Sequence, residues 1–313
     1  MKAAVYDRYG PPEVVRIAEV EKPAPKANEI LVRVFATTVC AADWRFRKAD
    51  PFIIRLIKRP RILGIEFAGR VEAVGAEVTR FAPGDDVFGA SGFKFGAHAE
   101  YLCVPQDGVV ERKPVNMSHE EAAAVMFGAV SALHFLRKAN IQPGQNVLVY
   151  GASGSVGVFA VQLAKHYGAR VTGVCSTANL NLVRSLGADD VVDYTREDFS
   201  AAGPVYDVII DTVGKSGFTR ASRALKRGGA FLEVLFSGAT PAWMWVAFTG
   251  RAKVIGGVAE ERPGDAVMLK QLIEAGELRT VVDRRYPLEQ IAEAHRLAES
   301  GHKKGHVVVT MAS

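Results

Sequence analysis

The sequence predicts an α/β protein that combines a doubly wound parallel sheet with a β-barrel domain. Strand-like and helix-like segments alternate from residue 146 to residue 257, and a glycine-rich turn follows the first of these strands. The first 118 residues, in contrast, consist mostly of short strand-like runs. Alternation requires helical crossovers and therefore a parallel sheet, whereas many short strands with regular turns are typical of a small barrel.

The N-terminal part is predicted to be all-β. Its apolar runs are rich in β-branched and aromatic residues and are separated by Gly, Pro and Asn, as expected for short strands joined by turns. The predicted strands cover residues 3–7, 14–20, 29–38, 66–74, 86–88 and 98–104.

The pattern changes at Ser118, which forms a capping box with Glu121 and opens a helix predicted to reach about Lys138. Strands are then predicted at 146–150, 170–175, 190–194, 207–211, 230–235 and 253–257, with helices at 156–167, 178–186 and 216–226. Six such strands fill a dinucleotide-binding sheet.

Two more helices and a strand at 307–311 complete the chain, and we expect this segment to return to the first domain. The predicted domains are therefore 1–118 with 258–313, and 119–257.

Composition places the chain among soluble globular proteins. Of its 313 residues, 49% are apolar and 23% are charged, and its start lacks the pattern of a secretory signal. The longest nearly apolar run, 122–136, is shorter than the ~20 residues that a membrane-spanning helix needs. Three widely spaced cysteines form neither a disulfide framework nor a metal motif, so we expect a cytoplasmic location.

The clearest local signal is the glycine turn after the apolar strand at 146–150. Its three glycines suit a tight turn, a close approach of the backbone to a diphosphate, and close packing of helix on strand. The diphosphate would then lie at the helix N-terminus, where free N–H groups attract anions. The predicted contacts are Gly151, Ser153, Gly154, Ser155, Val156 and Gly157.

The end of the next strand favours NADPH over NADH. An NAD site places an acidic residue there to bind the ribose 2′-hydroxyl, and this sequence has Cys175 instead. The hydroxyls of Ser176 and Thr177 can donate to a 2′-phosphate. Tyr194 and Arg196 follow the third strand and could add a stacking face and a positive charge, although an arginine here is equally consistent with an ordinary surface residue.

Several motifs together resemble the quinone oxidoreductase branch of the medium-chain dehydrogenases, relatives of zeta-crystallin. The resemblance covers nearly the whole chain and implies a GroES-like barrel beside a Rossmann domain. The motifs are the glycine turn, Gln162-Leu163-Ala164-Lys165, Leu186-Gly187-Ala188-Asp189, Pro83-Gly84-Asp85, Asp211-Thr212-Val213-Gly214 and Gly301-His302-Lys303-Lys304-Gly305.

Comparison with the zinc-dependent members of that family predicts a zinc-free protein. Cys40 occupies the first zinc-ligand position, but Ile65 replaces the histidine, and the third position falls near Phe127 without a cysteine in reach. The lobe with four cysteines is missing between Phe88 and His98. One thiol and Glu66 cannot build a tetrahedral N/S site. The resemblance implies instead that Cys40 lines the nicotinamide pocket, where the zinc-free branch commonly has Asn.

The resemblance implies hydride transfer from NADPH to a small apolar quinone or to the C=C bond of an enone, chemistry that conjugation assists. Asp43 and Arg45 match the segment that borders the nicotinamide, and Arg45 or solvent is the hypothetical proton donor; a purely structural Asp43 is the alternative. Ser131 matches a cofactor-contacting hydroxyl. Thr212, Val213, Phe236 and Ser237 follow the fourth and fifth strands, whose ends border the cofactor crevice.

Two segments and one rival function stay open. Seven basic residues at 45–61, interleaved with apolar ones, are interpreted as a solvated face, with an anionic-lipid or nucleic-acid patch as the alternative. The aromatics at 241–248 suit a core, a dimer contact or a substrate lid. The rival is an NADPH-binding sensor, structural protein or RNA or lipid binder without turnover; we expect a homodimeric enzyme that does not bind nucleic acid.

A short-chain dehydrogenase is excluded, because none of the eight tyrosines has a lysine four residues later.

Overall fold

The structure is a computed structural model that describes residues 1–56, 59–234 and 252–311. The chain divides into two compact units. The first comprises Met1–Phe127, Glu261–Gly276 and the residues from Thr280 onward, and the second comprises Gly128–Glu260 with Glu277–Arg279. The boundaries at 127 and 260 lie C-terminal to those predicted from the sequence, at 118 and 257.

The first unit is built on a seven-stranded sheet, with a separate antiparallel pair formed by β1 and β2. Its strands, labelled in chain order, are β1 (Lys2–Val5), β2 (Arg16–Glu19), β3 (Glu29–Thr38), β4 (Glu66–Val74), β5 (Asp86–Ala90), β6 (Tyr101–Pro105), β7 (Val110–Arg112), β14 (Val282–Pro287) and β15 (His306–Thr310). The sheet order is β14-β15-β3-β4-β5-β7, and β6 also pairs with β3.

The C-terminal strand β15 lies inside this sheet, antiparallel to β3, with Val308 opposite Thr38. It was predicted because Val307, Val308 and Val309 form an apolar run, and all three are fully buried. The neighbouring strand β14 was not predicted. Its sequence, Val-Asp-Arg-Arg-Tyr-Pro, lacks apolar alternation, and its side chains stay at least partly exposed.

The second unit contains a six-stranded, fully parallel sheet. Its strands are β8 (Asn146–Tyr150), β9 (Arg170–Cys175), β10 (Asp190–Asp193), β11 (Tyr206–Asp211), β12 (Leu225–Glu233) and β13 (Lys253–Gly256). The order β10-β9-β8-β11-β12-β13 reverses between β8 and β11, which confirms the predicted doubly wound sheet. The middle of β8 is completely buried, as a central parallel strand requires.

The helices are α1 (Ala41–Lys48), α2 (His119–Ala123), α3 (Met126–Ala139), α4 (Ser155–His166), α5 (Leu180–Ser185), α6 (Phe218–Ala224), α7 (Pro263–Glu274) and α8 (Ile291–Glu299). The prediction of a single helix from 119 to 138 is wrong, because the helix is interrupted between Ala123, where α2 ends, and Met126, where α3 begins. At the start of α3, the N–H of Phe127 donates to the Glu66 carboxylate over 2.8 Å. In the described part of the chain, no helix is long and apolar enough to cross a membrane.

Candidate active site

The glycine turn joins β8 to α4 as predicted, and its geometry explains the glycines. Gly151 has a φ of 80°, a conformation that side chains disfavour. A Cβ on Gly157 would lie 2.1 Å from the carbonyl oxygen of Gly151, so only glycine allows α4 to pack this closely. Gly154 caps α4 in an extended conformation, and Ser155 begins the helix. The turn thus places the N-terminus of α4, the end of a helix that attracts anions, next to these glycines, and the residues present fit a diphosphate.

Thr212 and Val213 lie beside this turn. A Cβ on Gly151 would approach Thr212 Oγ1 and Val213 Cγ1 to 2.7 Å each, and the Thr212 hydroxyl donates to the carbonyl of Tyr150 over 2.9 Å. The structure therefore brings two residues predicted from strand ends next to the glycine turn.

Asp211 holds the loop that carries them and was missed at the sequence level. Its carboxylate accepts from the N–H groups of Val213, Gly214 and Ser216, and from the Ser216 hydroxyl over 2.6 Å. The motif Asp211-Thr212-Val213-Gly214 signalled the loop but not this role.

A second missed residue is Asn179, which connects the turn to the end of β9. Its side-chain amide donates to Ser153 Oγ over 3.0 Å and to Ser176 Oγ over 3.3 Å. Asn179 is buried, and among the described residues its Oδ1 has no hydrogen-bond partner. Nothing in its spacing marked it as a site residue.

The predicted adenosine end contains a carboxylate that was not anticipated. Asp193, the last residue of β10, pairs in register with Cys175 at the end of β9. Its carboxylate accepts from the hydroxyls of Thr177 and Thr195. Tyr194 is half-exposed, and the exposed Arg196 has its Nε 3.8 Å from Asp193.

Cys40, Asp43 and Arg45 belong to the first unit, at the start of α1. Asp43 is completely buried, and both of its oxygens are engaged: Oδ2 accepts from the N–H of Cys40 over 2.8 Å, and Oδ1 from the N–H of Gly64 over 2.9 Å. These contacts fit the structural role that the sequence left as the alternative, because they fix the start of α1 and connect it to Gly64.

The Cys40 thiol is also buried. Burial raises its pKa well above the ordinary value, and the charges of Asp43 and Glu66 raise it further. With 1% of its surface exposed, Cys40 offers little area for the predicted contact with a nicotinamide.

Glu66 is buried behind this segment. One carboxylate oxygen accepts from Thr38 Oγ1 over 2.7 Å and the other from the N–H of Phe127. Burial raises the pKa of Glu66 to about 8, although these two hydrogen bonds oppose the increase. Glu66 thus positions both β3 and the start of α3.

The positive charge of Lys303 acts on Glu66 and opposes the increase in the pKa of that carboxyl group. Burial lowers the pKa of Lys303 to about 8, opposed by Cys40, Glu66 and Asp283. The tail motif at 301–305 contained this lysine, but its place beside Cys40 and Glu66 depends on the pairing of β15 with β3.

The three positions that the family resemblance compares with zinc ligands carry the buried thiol of Cys40 and two side chains without donor atoms, Ile65 and Phe127. Among the described residues, no group of three or more His, Cys, Asp or Glu side chains could hold a metal ion.

The remaining residues that the sequence predicts for the site lie in different segments of the chain. Arg45 is partly buried over the Trp44 ring, and its Nε–H has no hydrogen-bond partner within the described ranges. Ser131 is buried within α3, and Val156 within α4. Phe236 and Ser237, like the aromatic segment 241–248, lie outside the described residues.

The basic segment 45–61 is only partly packed. Ile54 is buried, while Phe52 and Leu56 are exposed, and Arg55 lies 4.8 Å from the centre of the Phe52 ring. Residues 57 and 58 are outside the described part of the chain.

Two family models match the chain. Residues 26–115 match the alcohol dehydrogenase GroES-like domain, and residues 186–309 match the zinc-binding dehydrogenase model. The first match supports the predicted GroES-like character of the N-terminal unit.

Similar proteins cover almost the entire chain. A 2-methylene-furan-3-one reductase from Solanum lycopersicum is 32% identical over 99% of this chain and 79% of its own. A chloroplastic NADPH-dependent alkenal/one oxidoreductase from Arabidopsis thaliana is 31% identical with the same coverage. The solved quinone oxidoreductase from Coxiella burnetii superposes with a TM-score of 0.91 at 29% identity, covering 100% of this chain and 99% of its own.

Proposed function

Because this chain belongs to the quinone oxidoreductase branch of the medium-chain dehydrogenase/reductase family, we propose that it uses NADPH, without zinc, to reduce a quinone or the C=C bond of an α,β-unsaturated carbonyl. It is an oxidoreductase with a nicotinamide coenzyme. The observation that carries the finer proposal is the set of side chains at the zinc-ligand positions: beside Cys40, Ile65 and Phe127 offer no donor atom to a metal.

Reaction without zinc restricts the acceptor. Reduction of a simple ketone or aldehyde places negative charge on one oxygen, which a bound metal stabilises in zinc enzymes. In a quinone or enone, conjugation spreads that charge, so the demand for a Lewis acid is smaller. The names of the tomato, Arabidopsis and Coxiella relatives include both kinds of conjugated acceptor.

NADPH is proposed because no acidic residue occupies position 175 and because Ser176 retains a hydroxyl proton for donation to a 2′-phosphate. The half-exposed Tyr194 and the exposed Arg196 would add a ring face and a positive charge. The Arabidopsis relative is also named as NADPH-dependent.

When bound, NADPH would supply a hydride, and the chain's residues would hold the coenzyme and orient the acceptor. The N-terminus of α4 would hold the diphosphate, and Asp211 orients the loop of Thr212 and Val213 next to the glycine turn. Asp43 fixes the start of α1 and so the position of Arg45. Arg45 donates a hydrogen bond to the acceptor oxygen, while water supplies the proton, because a guanidinium does not deprotonate in proteins.

The protein is further proposed to be a homodimer that acts on a small apolar substrate in the cytoplasm and does not bind nucleic acid. Light scattering on the purified protein tests the first point, since a dimer has twice the mass of one chain.

The decisive assay follows NADPH oxidation by enzyme purified with a chelator. We expect turnover with 1,4-benzoquinone, 9,10-phenanthrenequinone and 2-alkenals, and none with the matching saturated aldehydes. Added zinc should leave the rates unchanged. Turnover of saturated aldehydes that depends on zinc would refute the proposal, as would an absence of turnover with every conjugated acceptor.

A further inference from the structure

The hydroxyl groups at the adenosine end differ in where their protons point. Asp193 is 4% exposed, and it accepts three hydrogen bonds from two residues: the Thr177 hydroxyl on Oδ2, and the Thr195 hydroxyl (2.7 Å) and N–H (3.0 Å) on Oδ1. The bonds from Thr177 and Thr195 lower the pKa of Asp193, so this group is an ionised, acceptor-only carboxylate.

A threonine hydroxyl has one proton, and the proton of Thr177 is used on Asp193. Thr195 Oγ1, which lies 3.4 Å from the Thr177 oxygen, has likewise given its proton to Asp193. Thr177 therefore offers a ligand its lone pairs and no donor.

Ser176 has the opposite polarity. Its oxygen accepts from the Asn179 amide over 3.3 Å, which leaves its own proton free to donate. One hydroxyl at this position is thus a donor and its neighbour is an acceptor.

The two forms of the coenzyme respond differently to such a pair. A ribose 2′-hydroxyl both donates and accepts, so it can satisfy Thr177 and Ser176 together. A 2′-phosphate only accepts; it can use Ser176, but it meets the lone pairs of Thr177 and the nearby charge of Asp193. The positive charge of Arg196 is also partly compensated by Asp193, whose Oδ2 lies 3.8 Å away.

We propose that Asp193, acting through Thr177, is a specificity-determining residue that limits the preference of this enzyme for a 2′-phosphorylated coenzyme. This inference rests on the proposed nicotinamide coenzyme site but not on the acceptor. Asp193 is a positioning residue, because its oxygens are occupied by protein groups.

The test compares two fragments that differ only in the 2′ group, 5′-AMP and 2′,5′-ADP, by calorimetry on the whole protein. For Asp193→Asn, which preserves shape and removes the charge, the affinity ratio should shift towards 2′,5′-ADP by about tenfold. The ratio of kcat/KM for NADPH over NADH should move in the same direction, through KM rather than kcat, because the 2′ group is remote from the reacting carbon.

Thr177→Val provides an independent variant. It removes the acceptor, together with one hydrogen bond to Asp193, and keeps the Asp193 carboxylate, so binding of 5′-AMP should weaken several-fold while 2′,5′-ADP binds no worse. The matched control is Thr195→Val, which removes the other hydroxyl from Asp193 and should leave the ratio unchanged.

A ratio in Asp193→Asn that equals that of the wild type would overturn the proposal, as would equal weakening of both fragments by Thr177→Val or binding of neither fragment. A wild-type preference for NADH would instead refute the proposed use of NADPH, and the expected shift in Asp193→Asn would still support this inference. Failure with every quinone and enone would leave the fragment measurements unaffected.

Discussion

Individual residues show that burial, more than residue type, decides the role of a polar side chain here. Asp43, Glu66, Asp193 and Asp211 are all buried carboxyl groups, and each is engaged with nearby backbone or hydroxyl donors. A buried carboxylate costs free energy unless it is hydrogen-bonded, so these residues organise loops and helix starts. From sequence alone, a catalytic and a structural role of Asp43 stayed equally open, because its partner at Gly64 lies 21 residues away in the chain.

Glu66 allows a prediction about stability and pH. Its pKa is raised to about 8 in the folded state, against ~4.3 in an unfolded chain. Between these values the folded protein keeps a proton that the unfolded chain has released, so stability falls as pH rises. Glu66→Gln removes this titration, and its free energy of unfolding relative to the wild type should increase by up to about 3 kcal/mol from pH 5 to pH 7.5.

Chemical denaturation at both pH values measures this difference. The pKa of Lys303 is lowered to about 8, so its titration stabilises the fold only as pH rises above that value. It therefore does not contribute to the difference between pH 5 and pH 7.5. Glu77→Gln, at an exposed site of the same unit, is the control and should show no such trend. An equal effect of Glu66→Gln at both pH values would contradict the prediction.

At the scale of elements, strands in apolar runs were predicted well and polar ones were not. The bounds of β3, β4, β8 and β9 agree with the sequence prediction to the residue, because turn residues interrupt their apolar runs. Two strands were missed: β7, which has only three residues, and β14, which is rich in charged residues. Both are stabilised by pairing with strands that are distant in sequence, so no local pattern indicates them. The break between α2 and α3 was missed for a similar reason, because it is set by Glu66 on another strand.

In the turn between β8 and α4, we expect Gly157 to serve packing and Gly154 to serve coenzyme binding. Gly157→Ala should destabilise the protein by about 1–3 kcal/mol, because the added methyl would meet the backbone of Gly151 and Ala152. Gly154→Ala meets only one carbonyl oxygen at 3.4 Å, so it should leave stability nearly unchanged while weakening 5′-AMP and 2′,5′-ADP binding together.

Thermal unfolding and calorimetry on both variants test this pair. Gly264→Ala in the first turn of α7 is the control, because an added Cβ there would meet no described atom of the surrounding structure within 4 Å. It should affect neither quantity. If Gly154→Ala unfolded the protein as readily as Gly157→Ala, the distinction between the two glycines would be wrong.

At the scale of the whole molecule, the chain ends by completing the unit with which it began. Strand β15 lies between β14 and β3, and its valines are fully buried although about 270 residues separate it from β3. A buried, unpaired charge is costly, so Val308→Asp should lower the melting temperature by at least about 10 °C, corresponding to several kcal/mol.

The control is Val258→Asp, because Val258 is 70% exposed and a charge there should cost almost nothing. Differential scanning calorimetry measures both variants. A melting temperature for Val308→Asp within a degree of the wild type would show that the C-terminal strand is not part of the folded core.

The sequence by itself determined the two-part architecture, the parallel sheet, the glycine turn and the family, because apolar periodicity and glycine spacing are local signals. It also identified Ile65 and Phe127 as residues that cannot bind zinc. Only the tertiary structure decided the roles of Asp43, Glu66, Asn179, Asp193 and Lys303. Their roles depend on hydrogen bonds and charges from segments far apart in the chain, and on the loss of water around them. The proton of Thr177 is the clearest case: the sequence shows a hydroxyl, but only the neighbouring strand shows which way it donates.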